Sequence, residues 1–185
     1  LGVDYLDAVL INNPVPWGDE GKDYLKENIE VYKALEDLYE QEVIAAIGVS
    51  NFNLKELKAL LERIRIKPHI HQVGVFIGHT LSELIAFCRE EEITVQAHSP
   101  LARGRIFKHE VLLKLAHSSH VTPAQLALKY VILKDSYPVV KTTSKARMIE
   151  NSSLDFDLPQ EVIKQLDEIN EDIRDYLPPG AKSTL

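Results

Sequence analysis

The residues best placed for chemistry lie in the C-terminal third of the chain. Lys141 closes a short apolar run, Ser144 is placed to cap the helix that follows, and Arg147 lies one turn into that helix. A helix N-terminus presents unpaired amide donors and a partial positive charge, so two cations beside it make a phosphate site. The same pattern is also that of a solvated surface turn. Other apolar runs end in polar groups too: Asn12 ends one, Ser50 and Asn51 another, His98 and Ser99 a third, and Gln72 lies within a further one, while Thr142 follows Lys141. Polar groups gathered at the carboxyl ends of successive strands form a binding rim in β/α barrels. Loops after strands are commonly polar as well, and Ser-Asn pairs commonly cap helices.

Other candidates carry less. His69 and His71 alternate in a way that could turn both to one face, yet no third ligand stands at a metal-binding spacing. His117 and His120 lie near a helix end, where the dipole accounts for them. Cys88, the only cysteine, falls inside an apolar helical pattern and is expected to pack. Trp17, in the loop after the first apolar run, is a candidate substrate contact or a residue that packs on its own loop.

These residues must be positioned by alternating short β-rich and longer amphipathic segments. Residues 6–12 read as a buried strand, followed by a Pro- and Gly-containing loop and a helix over 27–42. A strand from Ile44 precedes a helix opened by Asn53 and Glu56 at capping-box spacing, with Leu57, Leu60, Leu61 and Ile64 as its apolar stripe. A strand from Ile70 precedes a helix for which Thr80 and Glu83 repeat the capping signal, with Leu81, Leu84, Ile85 and Cys88 at helical spacing. A strand from Ile93 leads through a looser segment to a helix over 109–118. Thr122, Pro123 and Gln125 open another helix in cap, first-turn proline and third-position order. A strand from Tyr137 and closing helices over 146–152 and 161–170 complete the pattern. Strands apolar on both faces and separated by helices call for a parallel sheet covered by helices, either an open doubly wound sheet or a β/α barrel.

Composition limits the functions available. The chain has 185 residues, 45% of them apolar and 26% charged, which suits one globular domain with a real core. A net charge of −7 argues against nucleic acid or an anionic membrane as partner. A single cysteine excludes a disulfide framework and fits a reducing, cytoplasmic setting. No apolar run approaches the roughly 20 residues of a membrane span, and no signal-peptide pattern opens the chain. The chain starts on Leu1 within what reads as structured sequence, so an upstream segment is expected.

The segments LGVDYLDAVLINNPVP, AIGVSNF, KPHIHQV, HSPLARG, TPAQLAL and VVKTTSKARMIEN resemble, in this order, the successive signature segments of the aldo-keto reductase family. The resemblance runs from Leu1 to about Asn170. It implies an α/β fold, a (β/α)8 TIM-type barrel, of which this chain supplies the C-terminal five β/α units, strands four to eight, as a single domain over 1–185 without the N-terminal three units. A whole barrel takes about 250 residues. An arc of five strands would leave two apolar edges, so a companion segment supplying the rest of the barrel is an expected partner.

The resemblance also implies a cofactor, NADP(H). Ser50, Asn51 and Gln72 match positions that hydrogen-bond the nicotinamide carboxamide. His98 stands where the family has a tyrosine that stacks on the nicotinamide ring, and Ser99 and Leu101 match pyrophosphate contacts. Lys141, Thr142, Ser144 and Arg147 match the pocket for the adenosine 2′-phosphate, and Glu150 and Asn151 match adenine contacts. The family's general-acid tyrosine, with its lysine and aspartate, would lie upstream. Its histidine position falls at Asn12, which can donate to a carbonyl but does not titrate. Gly74 stands where the family has an acidic residue. The implied function is NADP(H)-dependent reduction of small aldehydes or ketones to alcohols by direct hydride transfer. A catalytically silent NADP-binding or regulatory module, or an inactive fragment, is the alternative that Asn12 and the missing tyrosine raise. The tail from Glu171 onward would help to choose the substrate.

Overall fold

A computed structural model describes residues 2–19 and 21–169. The expected end of the last helix at Asn170 and the tail from Glu171 lie outside the described residues. The chain forms two compact units, residues 2–73 with 83–95 and residues 74–82 with 96–169.

In the first unit, β1 (Val9–Ile11), β2 (Ile47–Ser50) and β3 (Ile70–Gly74) pair in parallel in that order. The register sets Ile11 opposite Val49 and Ser50 opposite Gln72. Every residue of β2 is buried, as expected of a strand covered on both faces. Its Gly48 is required by the pairing itself, because a Cβ there would lie 2.2 Å from the Ile70 carbonyl oxygen. β1 is shorter than the sequence suggests; Leu6 joins only an isolated bridge to Ile44.

Three helices cover these strands. Helix α1 (Leu25–Glu40) buries Tyr32 and Glu36. It stops short of the expected position 42 because Glu42 adopts φ 58° and the Val43 N–H turns back to the Leu38 carbonyl, a left-handed helix ending achieved without glycine. The fully buried Glu36 carboxylate accepts N–H groups from Arg65 and Ile66 at 2.5 and 2.8 Å and meets the Arg65 guanidinium, so its burial is compensated. Helix α2 (Leu54–Leu61) carries the expected capping box: Asn53 Oδ1 accepts from the Glu56 N–H at 2.9 Å, and Glu56 Oε2 accepts from the Asn53 N–H at 2.8 Å. Leu57 and Leu60 are buried, whereas Leu61 and Ile64 are only partly so. Helix α3 (Ser82–Glu90) buries Leu84, Ile85 and Cys88. It begins later than the Thr80 signal suggests, because Leu81 takes φ 46° and the Thr80 hydroxyl lies 3.2 Å from that of Ser82.

Strand β4 (Thr94–His98) starts in the first unit, where the Thr94 N–H reaches the His69 carbonyl, and continues into the second, where it pairs in parallel with β5 (Tyr137–Val139). Between them lie a 3-10 segment (Ala102–Lys108), α4 (Glu110–Ser118) and α5 (Pro123–Leu133). Helix α5 is the core of this unit: it buries Ala124, Leu126, Ala127, Leu128, Tyr130 and Val131 and opens with the expected capping box of Thr122 and Gln125. Two further helices follow, α6 (Lys145–Ser152) and α7 (Gln160–Asp167). Tyr130 ties α5 to α7 by donating its hydroxyl to Asp167 at 2.6 Å, and Lys134 pairs with the same carboxylate. β5 ends at Val139, two residues before Lys141, and leaves Tyr137 and Val139 exposed.

Candidate functional site

In the first unit the polar ends of three strands converge. Ser50 ends β2, and its hydroxyl donates to the Gln72 carbonyl at 2.8 Å. Asn51 follows with φ 62°, its N–H bonded to the same carbonyl at 2.9 Å. The left-handed turn directs its side chain back toward β1, where Nδ2 donates to the Asn12 carbonyl at 2.9 Å. Asparagine tolerates this backbone region better than most residues. Ser50 and Asn51 are each only 5% exposed. Three positions singled out from sequence, Ser50, Asn51 and Gln72, are thus held together, Gln72 through its backbone carbonyl, and Asn12 joins them through its own. What sequence reasoning did not supply is Asn13, whose carboxamide lies 2.9 Å from Asn51 Nδ2 at one end and 2.5 Å from Trp17 Nε1 at the other. Trp17 is 65% exposed, with its Nε1 beside the Asn13 carboxamide of the same loop. A groove of about 540 Å³ nearby is lined by Pro14, Val15, Tyr24, Phe52, Asn53 and Glu56; Ser50, Asn51 and Gln72 take no part in it.

Buried behind this cluster, His71 and Cys88 approach to 3.5 Å between Nδ1 and Sγ. Burial pushes the His71 imidazole down to about 3 and the Cys88 thiol up to about 12. Both groups are therefore neutral near pH 7, and the pair is core packing. Among the described residues, no group of three or more His, Cys, Asp and Glu could hold a metal ion.

In the second unit, His98 ends β4 with its Nδ1 3.2 Å from the Ser99 hydroxyl. Burial, and then the nearby Arg103 guanidinium, hold its pKa below the ordinary imidazole range. Ser99 repeats the geometry of Asn51, leaving its strand at φ 55°. Its carbonyl accepts the Ala102 N–H, and the Leu101 carbonyl accepts that of Gly104, across a turn in which Ala102, Arg103 and Gly104 are all left-handed.

The other candidates of this unit form a chain into α6. Thr142 Oγ1 accepts the Ser144 N–H at 3.2 Å, and Ser144 Oγ accepts the Arg147 N–H at 3.4 Å, making Ser144 the cap that the sequence suggests. Helix α6 has no acidic residue in its first turn and no buried residue at all. Lys141 and Arg147 are exposed beside that N-terminus, and Glu150 and Asn151 lie half-buried in the last turn. Two exposed cations and a capped helix start with no acidic residue in its first turn fit a phosphate group.

The comparisons with known proteins bear on both clusters. The model of the aldo/keto reductase family matches residues 1–171. An uncharacterized oxidoreductase, YtbE, of Bacillus subtilis is 38% identical over 94% of this chain and 59% of its own length. A glyoxal reductase of the same organism is 37% identical over 94% of this chain and 60% of its own. The crystal structure of a Bombyx mori aldo-keto reductase in complex with NADP superposes with a TM-score of 0.80 at 29% identity, covering 94% of this chain and 61% of that one. The chain belongs to the aldo-keto reductase family. Its five parallel β/α units are those of that family's (β/α)8 barrel fold, and the chain spans about three-fifths of the length of these relatives.

Proposed function

We propose that this chain carries the cofactor-binding units of an NADP(H)-dependent oxidoreductase that reduces small aldehydes or ketones to alcohols. The observation that carries this reading is the capped start of α6, with Lys141, Thr142, Ser144 and Arg147 gathered there and no acidic residue in the first turn. A 2′-phosphate is what such a site distinguishes, since a free ribose hydroxyl has no use for two cations. The relative solved with NADP bound supports the same cofactor. When bound, NADPH supplies a hydride to the carbonyl carbon.

The roles of the chain follow from its chemistry. Ser50, Asn51 and Gln72 hold the nicotinamide carboxamide and so fix which face of the ring is offered. His98, neutral at pH 7, stacks on the ring without opposing its positive oxidised form. Ser99 and Leu101 meet the pyrophosphate, and Glu150 and Asn151 the adenine. Asn12 donates a hydrogen bond to the substrate carbonyl, and Trp17 borders the substrate. The general-acid tyrosine, with its lysine and aspartate, belongs to upstream units that would cover the exposed Tyr137 and Val139 of β5. A cytoplasmic setting is part of the same reading; among the described residues no helix is long and apolar enough to cross a membrane.

Titration of the chain with NADPH, followed by its fluorescence, tests the reading. Replacing Lys141 or Arg147 by Ala should weaken NADPH binding by about tenfold or more, as loss of a charge-assisted contact does, and leave NADH binding unchanged. Equal losses for both cofactors would refute the 2′-phosphate assignment. Asn12 favours a second reading, a catalytically silent NADP-binding or regulatory module. Turnover of reactive aldehydes by a polypeptide that includes the upstream units would remove it, and tight NADPH binding without turnover would support it.

A further inference from the structure

The groove of about 540 Å³ in the first unit lies between the loop after β1 and the starts of α1 and α2. Its floor is apolar: Phe52 is fully buried and Val15 nearly so, with Pro14 and Ala59 beside them. The polar groups around that floor are chiefly acceptors with lone pairs left over. Glu56 is half-buried; its Oε2 accepts the Asn53 N–H at 2.8 Å, and its Oε1 has no partner among the described residues. Asn28 gives its Nδ2 to the Pro14 carbonyl at 2.7 Å; a carbonyl only accepts, so the amide oxygen is the end left over. Asp23 accepts the Leu25 N–H through Oδ1, and the Tyr24 hydroxyl gives its one hydrogen to Asp19. Of the two lysines at the groove, Lys22 pairs with Asp19 and Lys55 stands exposed on α2. Burial holds the Glu56 carboxyl above its ordinary pKa and the Asp23 charge adds to this, while the Asn53 N–H and Lys55 oppose it. The carboxylate is therefore only partly compensated.

We propose that this groove is a second ligand site, selective for a primary ammonium group carried on a small apolar body. An ammonium has three hydrogens to donate and no acceptor, the complement of the unused oxygens of Glu56, Asn28 and Asp23. Its charge supplies what Glu56 lacks, and the hydrogen bond between the two is charge-assisted. The apolar body covers Phe52 and Val15 in a volume suited to a small molecule. An anion would instead face Glu56 and Asp23 across the same rim, and a hydroxyl can satisfy only one of the acceptors. Ser50, Asn51 and Gln72 do not line the groove, so an amine there and a nicotinamide at the strand ends can be bound at once.

Benzylamine, cationic at neutral pH, and benzyl alcohol, of nearly the same shape without the charge, are the probes. Their binding to the natural full-length protein is followed by saturation-transfer NMR, and the site is read from the amide shifts of Asn28 and Glu56, with and without saturating NADPH. A ligand of this size should bind with a Kd of about millimolar order. Benzylamine should bind about tenfold or more tightly than benzyl alcohol, shift both amides, and bind equally with NADPH present. Glu56→Gln keeps an oxygen for the Asn53 N–H, since glutamine also serves in a capping box, and should bring benzylamine down to the affinity of the alcohol. Ala59→Met, which fills the groove from α2, should abolish binding of both. Absence of saturable benzylamine binding, equal affinity for the two probes, displacement of benzylamine by NADPH, or benzylamine binding that Glu56→Gln leaves intact would each overturn the proposal.

Discussion

Replacing Gly48 by alanine should damage the fold and the candidate site together. The added Cβ would lie 2.2 Å from the Ile70 carbonyl oxygen, 3.1 Å from its carbon and 3.3 Å from the Ile70 Cβ. Approaches under 3.0 Å are essentially never found, and the obstacle is backbone, so β2 and β3 must part by about 0.8 Å. Spread evenly along the pair, that opening takes the 2.9 Å bond from the Asn51 N–H to the Gln72 carbonyl and the 2.8 Å bond from the Ser50 hydroxyl beyond useful hydrogen-bond length. Two lost hydrogen bonds at about 1 kcal/mol each, with about 1–3 kcal/mol of overpacking, give a destabilisation of roughly 3–5 kcal/mol. Urea unfolding followed by far-UV circular dichroism measures it. Where the variant still folds, NADPH affinity should drop by at least about tenfold if Ser50, Asn51 and Gln72 hold the carboxamide as proposed, since they lose their registration. A Gly48→Ala protein within about 0.5 kcal/mol of the natural one, with normal cofactor affinity, would refute the claim that this close approach sets the site.

Three further outcomes are expected. Because burial holds the His71 pKa at about 3 against roughly 6.5 when unfolded, the neutral ring stabilises the fold fully above pH 6.5 and progressively less as pH falls toward 3. Urea unfolding at pH 7 and pH 5 should show the natural protein losing about 2 kcal/mol more than His71→Leu, and parallel losses would contradict it. Both Asn51→Gly and Asn51→Ala lose the bond to the Asn12 carbonyl, but Asn51→Gly should be about 1 kcal/mol the more stable of the two because the turn needs φ 62°; both should lose NADPH affinity in the same titration. In a polypeptide carrying the upstream units, Asn12→His should raise kcat for aldehyde reduction by about tenfold or more, as a positioned acid-base group does, and an unchanged kcat would count against Asn12 facing the substrate.

Much of this architecture could be read from the residues because local signals agreed with tertiary ones. Asn53 with Glu56 and Thr122 with Gln125 cap their helices as their spacing suggests, and Ser144 caps α6. The family, and with it the barrel units, was legible from ordered segments such as AIGVSNF and HSPLARG. Boundaries were less so, for a physical reason: Glu42 and Leu81 take left-handed conformations that their residue types do not advertise, and these shorten α1 and delay α3. The strand-end polar groups were identifiable one by one. That Asn51 turns back to the Asn12 carbonyl, with Asn13 between it and Trp17, depends on the loop after β1 and the turn after β2 meeting in space. Only the asparagine after a strand-ending serine hinted at the turn.

Helix α6 contributes no buried residue to its unit, although it bears four of the candidate cofactor contacts, Ser144 at its cap included. It lies against α5 without burying a side chain of its own, so selection can rewrite its exposed face without repacking a core. Exchange of NADP for NAD preference is then a change of a few surface side chains, open to gradual drift or to engineering, while the hydrophobic centre around α5 keeps the unit folded throughout.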